Sequence, residues 1–183
     1  MTELDHLVVA ARTLDEGGEW VAARLGVEPQ QGGRHATMGT HNRLLSLGPG
    51  RFLEVIAIDP EGAAPARPRW FELDTPAMLE RLSRSPALIH WVERTDRLEA
   101  ALEGYPVAVD VTPFSRGSYR WRMALTRDGS LPGGGSLPTL IQWEGAHPAD
   151  ALPDAGIRLA SFTHEAGALH AVFATPSGSR AIP

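Results

Sequence analysis

Apolar runs of strand length and helix-start signals alternate in the first third of the chain. Leu4–Ala11 is apolar and bounded by polar residues, which is typical of a buried strand. The tetrapeptide from Thr13 to Glu16 has the form of a capping box, and Gly26 is placed to end the helix that follows. Three further strands are predicted at Gly32–Gly39, Thr40–Leu47 and Phe52–Asp59. The predicted order of elements is therefore β-α-β-β-β.

The same order of elements returns in the second half of the chain. Ala87–Arg94 predicts a strand, and the tetrapeptide from Asp96 to Glu99 is a second capping-box pattern, which opens a helix ending near Gly104. The later strands are predicted at Val107–Pro113, Tyr119–Thr126 and Thr139–Glu144, with turn residues at Ser115–Ser118. An internal repeat is a structural signal in its own right. It predicts two similar modules related by a pseudo-twofold axis.

The repeat sets the predicted domain organisation, which is one α+β domain over residues 1–183. It contains two βαβββ modules at residues 4–59 and 86–145, a linker and helix at residues 60–85, and a C-terminal extension at residues 146–183. In the extension, two apolar segments could pair as a hairpin across His164–Gly167, namely Arg158–Thr163 and Leu169–Ala174.

Each module carries a histidine in its first strand and a glutamate in its last. The first module has His6 and Glu54, and the second has His90 and Glu144. Side chains alternate between the two faces of a strand, so His6 should share its face with its neighbours at positions 4 and 8. By the same count His90 should share its face with Leu88 and Val92.

These four residues form a candidate ligand set for a divalent metal ion. Mixed nitrogen and oxygen ligands suit Zn, Ni, Mn, Co or Fe(II) without choosing among them. An ion held by four protein ligands could keep positions open for water or substrate, and could act as a Lewis acid or activate a bound water. The alternative is that the four are unrelated polar residues at strand ends or on solvated faces.

Two further polar groups are candidates for binding a substrate. His41, Asn42 and Arg43 follow one another at the start of a predicted strand, with His35 nearby, and could hydrogen-bond an anionic or carbonyl group. Arg122 could hold a carboxylate in the second module. In both cases the alternative is a solvated strand without a binding role.

Composition and charge narrow the function classes. The chain has no cysteine, which excludes disulfides, thiolate metal sites and a cysteine nucleophile. Its net charge is −5 and no lysine or arginine cluster stands out, so a nucleic-acid surface is not expected. No signal peptide is recognised, and no apolar run approaches the ~20 residues that span a bilayer. We therefore expect a cytoplasmic protein whose partner is a small molecule.

The segments LDHLVVAARTLDEGGEWVAARLG and FLEVIAID resemble the opening and closing of a module of the vicinal oxygen chelate superfamily, which has the glyoxalase/bleomycin-resistance fold. LIHWVERTDRLEAALEG and LIQWEG resemble those of a second module, and the glyoxalase-like domain proteins are the most similar subgroup. The resemblance implies curved mixed sheets around a cleft. It also implies metal ligands from the first and last strands of each module, which correspond here to His6, Glu54, His90 and Glu144.

The sequence departs from the family pattern at two tryptophans beside the expected site. Trp91 follows His90 and Trp143 precedes Glu144. Strand alternation predicts that both tryptophans point to the opposite face, toward the covering helices.

The function expected from residues and resemblance together is a metal-dependent lyase or isomerase of the glyoxalase type, acting on a small oxygen-chelating metabolite. Glu144 or Glu54 would serve as the general base. An extradiol-type dioxygenase is compatible with the same fold. The alternative is a metal-free binding or sequestration protein that offers its tryptophans to a planar ligand. The chain could also form a homodimer through its extension.

Overall fold

Two βαβββ modules build the main sheet of the protein, as the sequence repeat predicts. The computed structural model describes residues 1–165 and 168–183. The first module comprises β1 (Glu3–Ala10), α1 (Leu14–Leu25), β2 (Gln30–His35), β3 (Thr40–Ser46) and β4 (Phe52–Ile58). Between the modules lie a 3-10 turn (Trp70–Glu72) and α2 (Pro76–Arg84). The second module comprises β5 (Ala87–Arg94), α3 (Leu98–Leu102), β6 (Asp110–Arg116), β7 (Tyr119–Leu125) and β8 (Thr139–Glu144).

The two modules join through their first strands at the centre of an eight-stranded mixed sheet. Its strand order is β2-β3-β4-β1-β5-β8-β7-β6. β1 pairs with β4 and β5 pairs with β8 in parallel, whereas β1 and β5 are antiparallel. The sheet curls so far that its two edge strands approach each other, because a Cβ on Gly33 in β2 would lie 2.6 Å from Cδ of Arg116 in β6. This curvature encloses the cleft that the family resemblance implies.

Each central strand has one bulge, immediately before its histidine. The pairing of β1 with β5 skips Asp5 on one strand and Ile89 on the other. An extra residue reverses the alternation of side chains beyond it. His6 and His90 therefore face the cleft with Val8 and Val92, while Leu4 and Leu88 pack with the core on the outer face. The expectation that Leu4 and Leu88 share the histidine face is wrong for this reason.

The outer face of the central strands is covered by α1 and by a second sheet from the C-terminal extension. That sheet has the order β11-β10-β9 and consists of β9 (Arg158–Glu165), β10 (Ala168–Thr175) and β11 (Gly178–Ile182). Phe173 and Ile182 are fully buried in the same core as Trp91. Trp91 thus faces away from the cleft, as alternation predicts, but it stacks on His164 of the extension rather than on a helix. Part of the predicted hairpin turn, residues 166–167, lies outside the described residues.

The first helix agrees with its sequence signals and the last does not. Thr13 Oγ1 accepts a hydrogen bond from the Glu16 backbone N–H, and Gly26 ends α1 in the left-handed conformation with φ 77°. In contrast, the predicted capping box at Asp96 is wrong. Arg97 occupies the N-cap position of α3 without a side-chain cap, and the helix has only five residues. In the described part of the chain, none of the helices has the length and apolar character needed to cross a membrane.

We expect Phe173→Ala to destabilise the whole domain by about 3–5 kcal/mol, because it leaves a cavity between the extension and the central strands. Denaturant unfolding followed by tryptophan fluorescence would measure this. Leu79→Ala, at an exposed position on α2, is the control and should change stability by less than about 0.5 kcal/mol. A Phe173→Ala protein as stable as the control would contradict the packing of the extension described here.

Candidate functional site

A narrow pocket opens in the cleft between the two modules. Its cavity volume is about 30 Å³, room for roughly two water molecules. Five aromatic side chains form its walls, namely Phe52, Trp70, Phe71, Trp121 and Trp143. Five polar side chains also line it, namely His6, His35, Asn42, Glu54 and Arg116. The pocket is therefore an apolar chamber with one polar side.

Asp5, the bulged residue of β1, fixes the orientation of His6. It is fully buried and accepts hydrogen bonds from His6 Nδ1 at 2.5 Å, from His147 Nε2 at 2.9 Å and from Trp143 Nε1 at 3.0 Å. Burial alone would raise the pKa of Asp5, but the hydrogen bonds from His147 and His6, together with their charges, hold it well below its usual range. The imidazole of His6 also stacks on Phe52, with ring centroids 4.5 Å apart.

Glu54 is a buried carboxylate that faces His6 across the polar side of the pocket. Its Oε1 accepts a hydrogen bond of 2.6 Å from Asn42 Nδ2. Its Oε2 lies 3.8 Å from His6 Nε2, which is too far for a direct hydrogen bond. The strand neighbours of Glu54 are the apolar residues Val8 and Leu44. The His6 imidazole and the Glu54 carboxylate thus both open onto the chamber without a direct hydrogen bond between them.

Asn42 connects Glu54 to the second module. Its Oδ1 accepts hydrogen bonds from the Gly33 backbone N–H and from Arg116 Nη1, both at 2.9 Å, while its nitrogen reaches Glu54 and approaches His35 Nε2 at 3.4 Å. All donors and acceptors of this amide are therefore occupied. Burial, aided by the nearby positive charges of Arg116 and two histidines, lowers the pKa of His35 to about 3. His35 is therefore neutral at pH 7.

His90 lies on the cleft face but is fully buried below the chamber. Its Nε2 lies 2.9 Å from Thr139 Oγ1 and accepts the Thr139 backbone N–H at 3.2 Å. Its Nδ1 is buried without a hydrogen-bond partner among the described residues, and the ring of Phe71 packs against it at 5.4 Å. Burial, with a smaller contribution from His6, lowers the pKa of His90 to about 3. One ring nitrogen of His90 is thus engaged by Thr139, and the other is buried without a partner in the described part of the chain.

The strand register makes Thr139 the counterpart of Glu54. Glu54 pairs with Val8, two residues after His6, and Thr139 pairs with Val92, two residues after His90. The separation from His90 to Thr139 is 49 residues, nearly the 48 that separate His6 from Glu54. The second module therefore has a hydroxyl where the first has a carboxylate.

Glu144 lies away from the site, which corrects its assignment as a metal ligand and general base. It is exposed at the end of β8. Thr139, Ile141 and Trp143 of β8 face the cleft, so Glu144, one residue on from Trp143, points to the opposite face. The same alternation brings Trp143 into the pocket, and the expectation that this tryptophan faces away is wrong.

The four predicted ligands do not fit a metal centre. The structure brings together one imidazole and one carboxylate, those of His6 and Glu54, while His90 is bonded to Thr139 and Glu144 lies on the other face. Over residues 1–165 and 168–183, no group of three or more histidine, cysteine, aspartate or glutamate side chains is arranged to hold a metal ion.

Two members of the predicted substrate-binding groups reach the pocket, namely His35 and, on β3, Asn42. Its strand neighbours point outward, where Arg43 pairs with Asp15 and Glu28 and His41 lies 4.0 Å from Asp59. Arg122 also points outward and pairs with Glu99 and with Gln142 Oε1. Strand alternation accounts for all three placements, because each of these side chains is separated from a cleft-facing residue by one position.

Several residues that line the pocket or hold its side chains in place were missed by the sequence analysis. Arg116 was assigned to a turn, although β6 extends through it and it shares the face of the buried Phe114. Asp5 and His147 carry no periodic signal, because one lies in a bulge and the other in an irregular segment. Phe71 comes from the linker, where its φ of 58° departs from every strand or helix pattern. Arg116 lies two positions after the apolar Phe114, and strand alternation from Phe114 is the sequence pattern that could have placed Arg116 on the cleft face.

We expect stability to fall as pH decreases from about 6.5 to about 3, because the unfolded chain then protonates His90 whereas the folded chain, with its lowered pKa, does not. Each such histidine contributes a slope of roughly 1.4 kcal/mol per pH unit. His90→Gln should reduce that slope, as measured by urea unfolding at several pH values. His170→Gln, on an exposed part of β10, should leave it unchanged; equal slopes in both variants would contradict a neutral buried His90.

Comparisons with solved structures support the fold. Methylmalonyl-CoA epimerase from Streptomyces coelicolor, in complex with 2-nitronate-propionyl-CoA, matches with a TM-score of 0.50 and 19% identity, over 80% of this chain and 98% of that chain. A hypothetical protein of Bacillus halodurans matches with a TM-score of 0.50 and 14% identity, over 79% of this chain and 95% of that chain. A comparison with curated protein sequences found no match.

The family model described as a glyoxalase-like domain matches residues 4–175, nearly the whole chain. It spans both modules, the linker between them and most of the C-terminal extension. The chain therefore belongs to the glyoxalase-like domain family.

Proposed function

We propose that the pocket moves a proton at a carbon atom next to a carbonyl group of a small molecule, which is the chemistry of isomerases, epimerases and many lyases. One observation carries this proposal. Glu54 Oε2 and His6 Nε2 lie 3.8 Å apart on the polar side of a buried chamber, so both can contact one small substrate group placed beside them. A buried, water-poor site strengthens electrostatic interactions with the charge that develops during such a reaction.

In this proposal Glu54 is the general base and His6 acts on the substrate oxygen. The Glu54 carboxylate accepts the proton from the substrate carbon, and the electron pair of the broken C–H bond moves onto the carbonyl oxygen. His6, held by Asp5, presents Nε2 to that oxygen and exchanges a proton with it. Delivery of that proton from Glu54 to the neighbouring carbon, while His6 gives a proton to one oxygen and takes one from the adjacent hydroxyl, completes an isomerisation. Asn42 holds Glu54 in place throughout.

No metal ion enters these steps, because the side chains that surround the chamber do not form a ligand set. An extradiol-type dioxygenase would also need a metal ligand set, which these side chains do not form. Non-haem iron oxygenases use two histidines and one carboxylate on one face of the ion, whereas His6 and Glu54 are joined by no third residue of this kind within residues 1–165 and 168–183. Metal dependence and ring cleavage are therefore not part of the proposed function.

A non-catalytic binding role is the second candidate, and the aromatic walls of the chamber favour it. Trp70, Trp121 and Trp143 all line the pocket, and stacked aromatic side chains bind planar ligands without any chemistry. The two candidates differ in what they require of Glu54. An enzyme needs a base at this position, whereas a binding protein tolerates the neutral amide. Assembly as a homodimer stays a prediction in either case.

We expect Glu54→Gln to lower turnover by about 10²–10⁴-fold, because it removes the general base while keeping the shape of the side chain. The assay is exchange of carbon-bound hydrogen with deuterium from solvent, followed by NMR. The panel contains 2-oxo acids and acyl thioesters, including methylmalonyl-CoA, the substrate named for the structural neighbours. Glu144→Gln, at the exposed end of β8, is the matched control and should retain full activity. Equal activity of both variants would refute the role of Glu54.

We also expect ligand binding to persist after metal removal. A panel compound that binds should change the tryptophan fluorescence of the pocket, and its dissociation constant should be the same before and after treatment with EDTA. Trp91→Phe, on the outer face, should keep the response, whereas Trp121→Phe should reduce it. Loss of binding with EDTA, restored by Zn, Ni, Mn or Fe(II), would instead support the metal site that the sequence suggests.

A further inference from the structure

Arg116 is a half-buried cation without a carboxylate partner. It stands at the end of β6 and crosses the cleft to the first module, where Nη1 donates to Asn42 Oδ1 at 2.9 Å and to His35 Nε2 at 3.3 Å. Both acceptors are neutral groups. Within the described part of the chain Arg116 forms no ion pair, whereas Arg43, Arg94 and Arg122 all pair with carboxylates.

One edge of the Arg116 guanidinium is left open. Nη1 makes both of the hydrogen bonds, so Nε and Nη2 have no hydrogen-bond partner among residues 1–165 and 168–183, and the Tyr119 ring lies 5.8 Å from Cζ. Neither atom is buried. The N–H groups of Nε and Nη2 lie side by side and point the same way, which is the fork that binds a carboxylate through two parallel hydrogen bonds.

The local charge balance favours an incoming anion. Burial lowers the pKa of Arg116, and the attraction of Glu54, which lies beyond Asn42, offsets this only in part. A guanidinium remains protonated under these conditions. Its charge is therefore poorly compensated by the protein itself, and a bound carboxylate would supply the compensation.

Arg116 also stands where the inner chamber meets a larger open groove. Arg116, Leu44 and Pro148 line both spaces. The groove has a volume of about 390 Å³, against about 30 Å³ for the chamber. Gly33 lines the groove. Any side chain there would collide with Arg116, because a Cβ on Gly33 would lie 2.6 Å from Cδ of Arg116. The glycine lets the arginine lie flat between the two spaces.

We propose that the Nε–Nη2 edge of Arg116 is a carboxylate-binding subsite at the junction of chamber and groove. The ligand is a carboxylate-bearing molecule with a small reacting end in the chamber and the remainder of its structure in the groove. This assignment of substrate class rests on the proposed function for the reacting end. The carboxylate subsite itself does not require that reaction.

The contacts of Arg116 relate the subsite to the proposed base. Arg116 Nη1 bonds one end of the Asn42 amide and Glu54 Oε1 bonds the other. The bound carboxylate and the catalytic carboxylate are therefore separated by little more than one side-chain amide and the guanidinium. We infer that the substrate carries its carboxylate within a few bonds of the carbon that loses the proton.

The test is an NMR titration of the Arg116 Nε–Hε signal with malonate, using malonamide as the uncharged analogue of the same shape. We expect a saturable shift with malonate and none with malonamide. Arg116→Met should weaken malonate binding by at least about tenfold, measured through the tryptophan fluorescence of the pocket. Arg116→Lys keeps the charge but loses the fork, and should weaken binding by an intermediate amount. Arg120→Met, at an exposed position on β7, is the matched control and should bind as the wild type does.

Three results would overturn the subsite: an unchanged Arg116 signal, an equal response to malonamide, or equal malonate affinity in the Arg116→Lys and wild-type proteins. Inorganic phosphate is a further probe, and binding of phosphate in place of malonate would also refute a carboxylate site. Thermal melting checks that each variant is folded. If Arg116→Met does not fold, the malonate affinity of Arg116→Lys tests the subsite in its place. Glu54→Gln separates the two proposals, because it should abolish turnover and still bind malonate at Arg116.

Discussion

The buried carboxylate of Asp5 is the interaction on which the site depends. A single charged group with no exposure to solvent receives three hydrogen bonds, from the central strand, from β8 and from the start of the extension. A buried charge is tolerated only when it is fully paired and hydrogen-bonded. The three donors therefore have to come together for the fold to be stable, and their meeting fixes His6. The C-terminal extension takes part in the site through His147, in addition to covering the outer core.

The fold could be predicted from the sequence because its main signal is a repeated order of elements. The two modules could be predicted from the apolar runs, the first capping box and the repeat spacing. The curved sheet could be predicted from the family resemblance. The face of the strand on which each side chain lies was harder to predict from the sequence. A bulge adds one residue without changing composition, so the faces of Leu4 and Leu88 were reversed. The end of β6 was also predicted three residues too early, at Pro113, so that Arg116 was assigned to a turn.

The sequence analysis identified the residues that the first module contributes to the candidate site, but not those that the second module contributes. His6, Glu54 and Asn42 line one pocket, whereas Glu144 stands five residues beyond the true counterpart of Glu54. Equal spacing would have ended at Pro138, one residue before Thr139, and neither residue suggests a ligand set. Two modules of the same shape therefore carry different chemistry. The first module supplies the imidazole and the carboxylate of His6 and Glu54, and the second supplies Arg116 and two of the five aromatic walls, Trp121 and Trp143.

The matched bulges have a consequence for the origin of the chain. Asp5 and Ile89 occupy equivalent positions in the two central strands, each directly before a histidine that faces the cleft. Bulges are inherited features of a fold rather than accidents of individual sequences. The simplest history is that an ancestral single module already had the bulge, and that two copies of its gene were later joined.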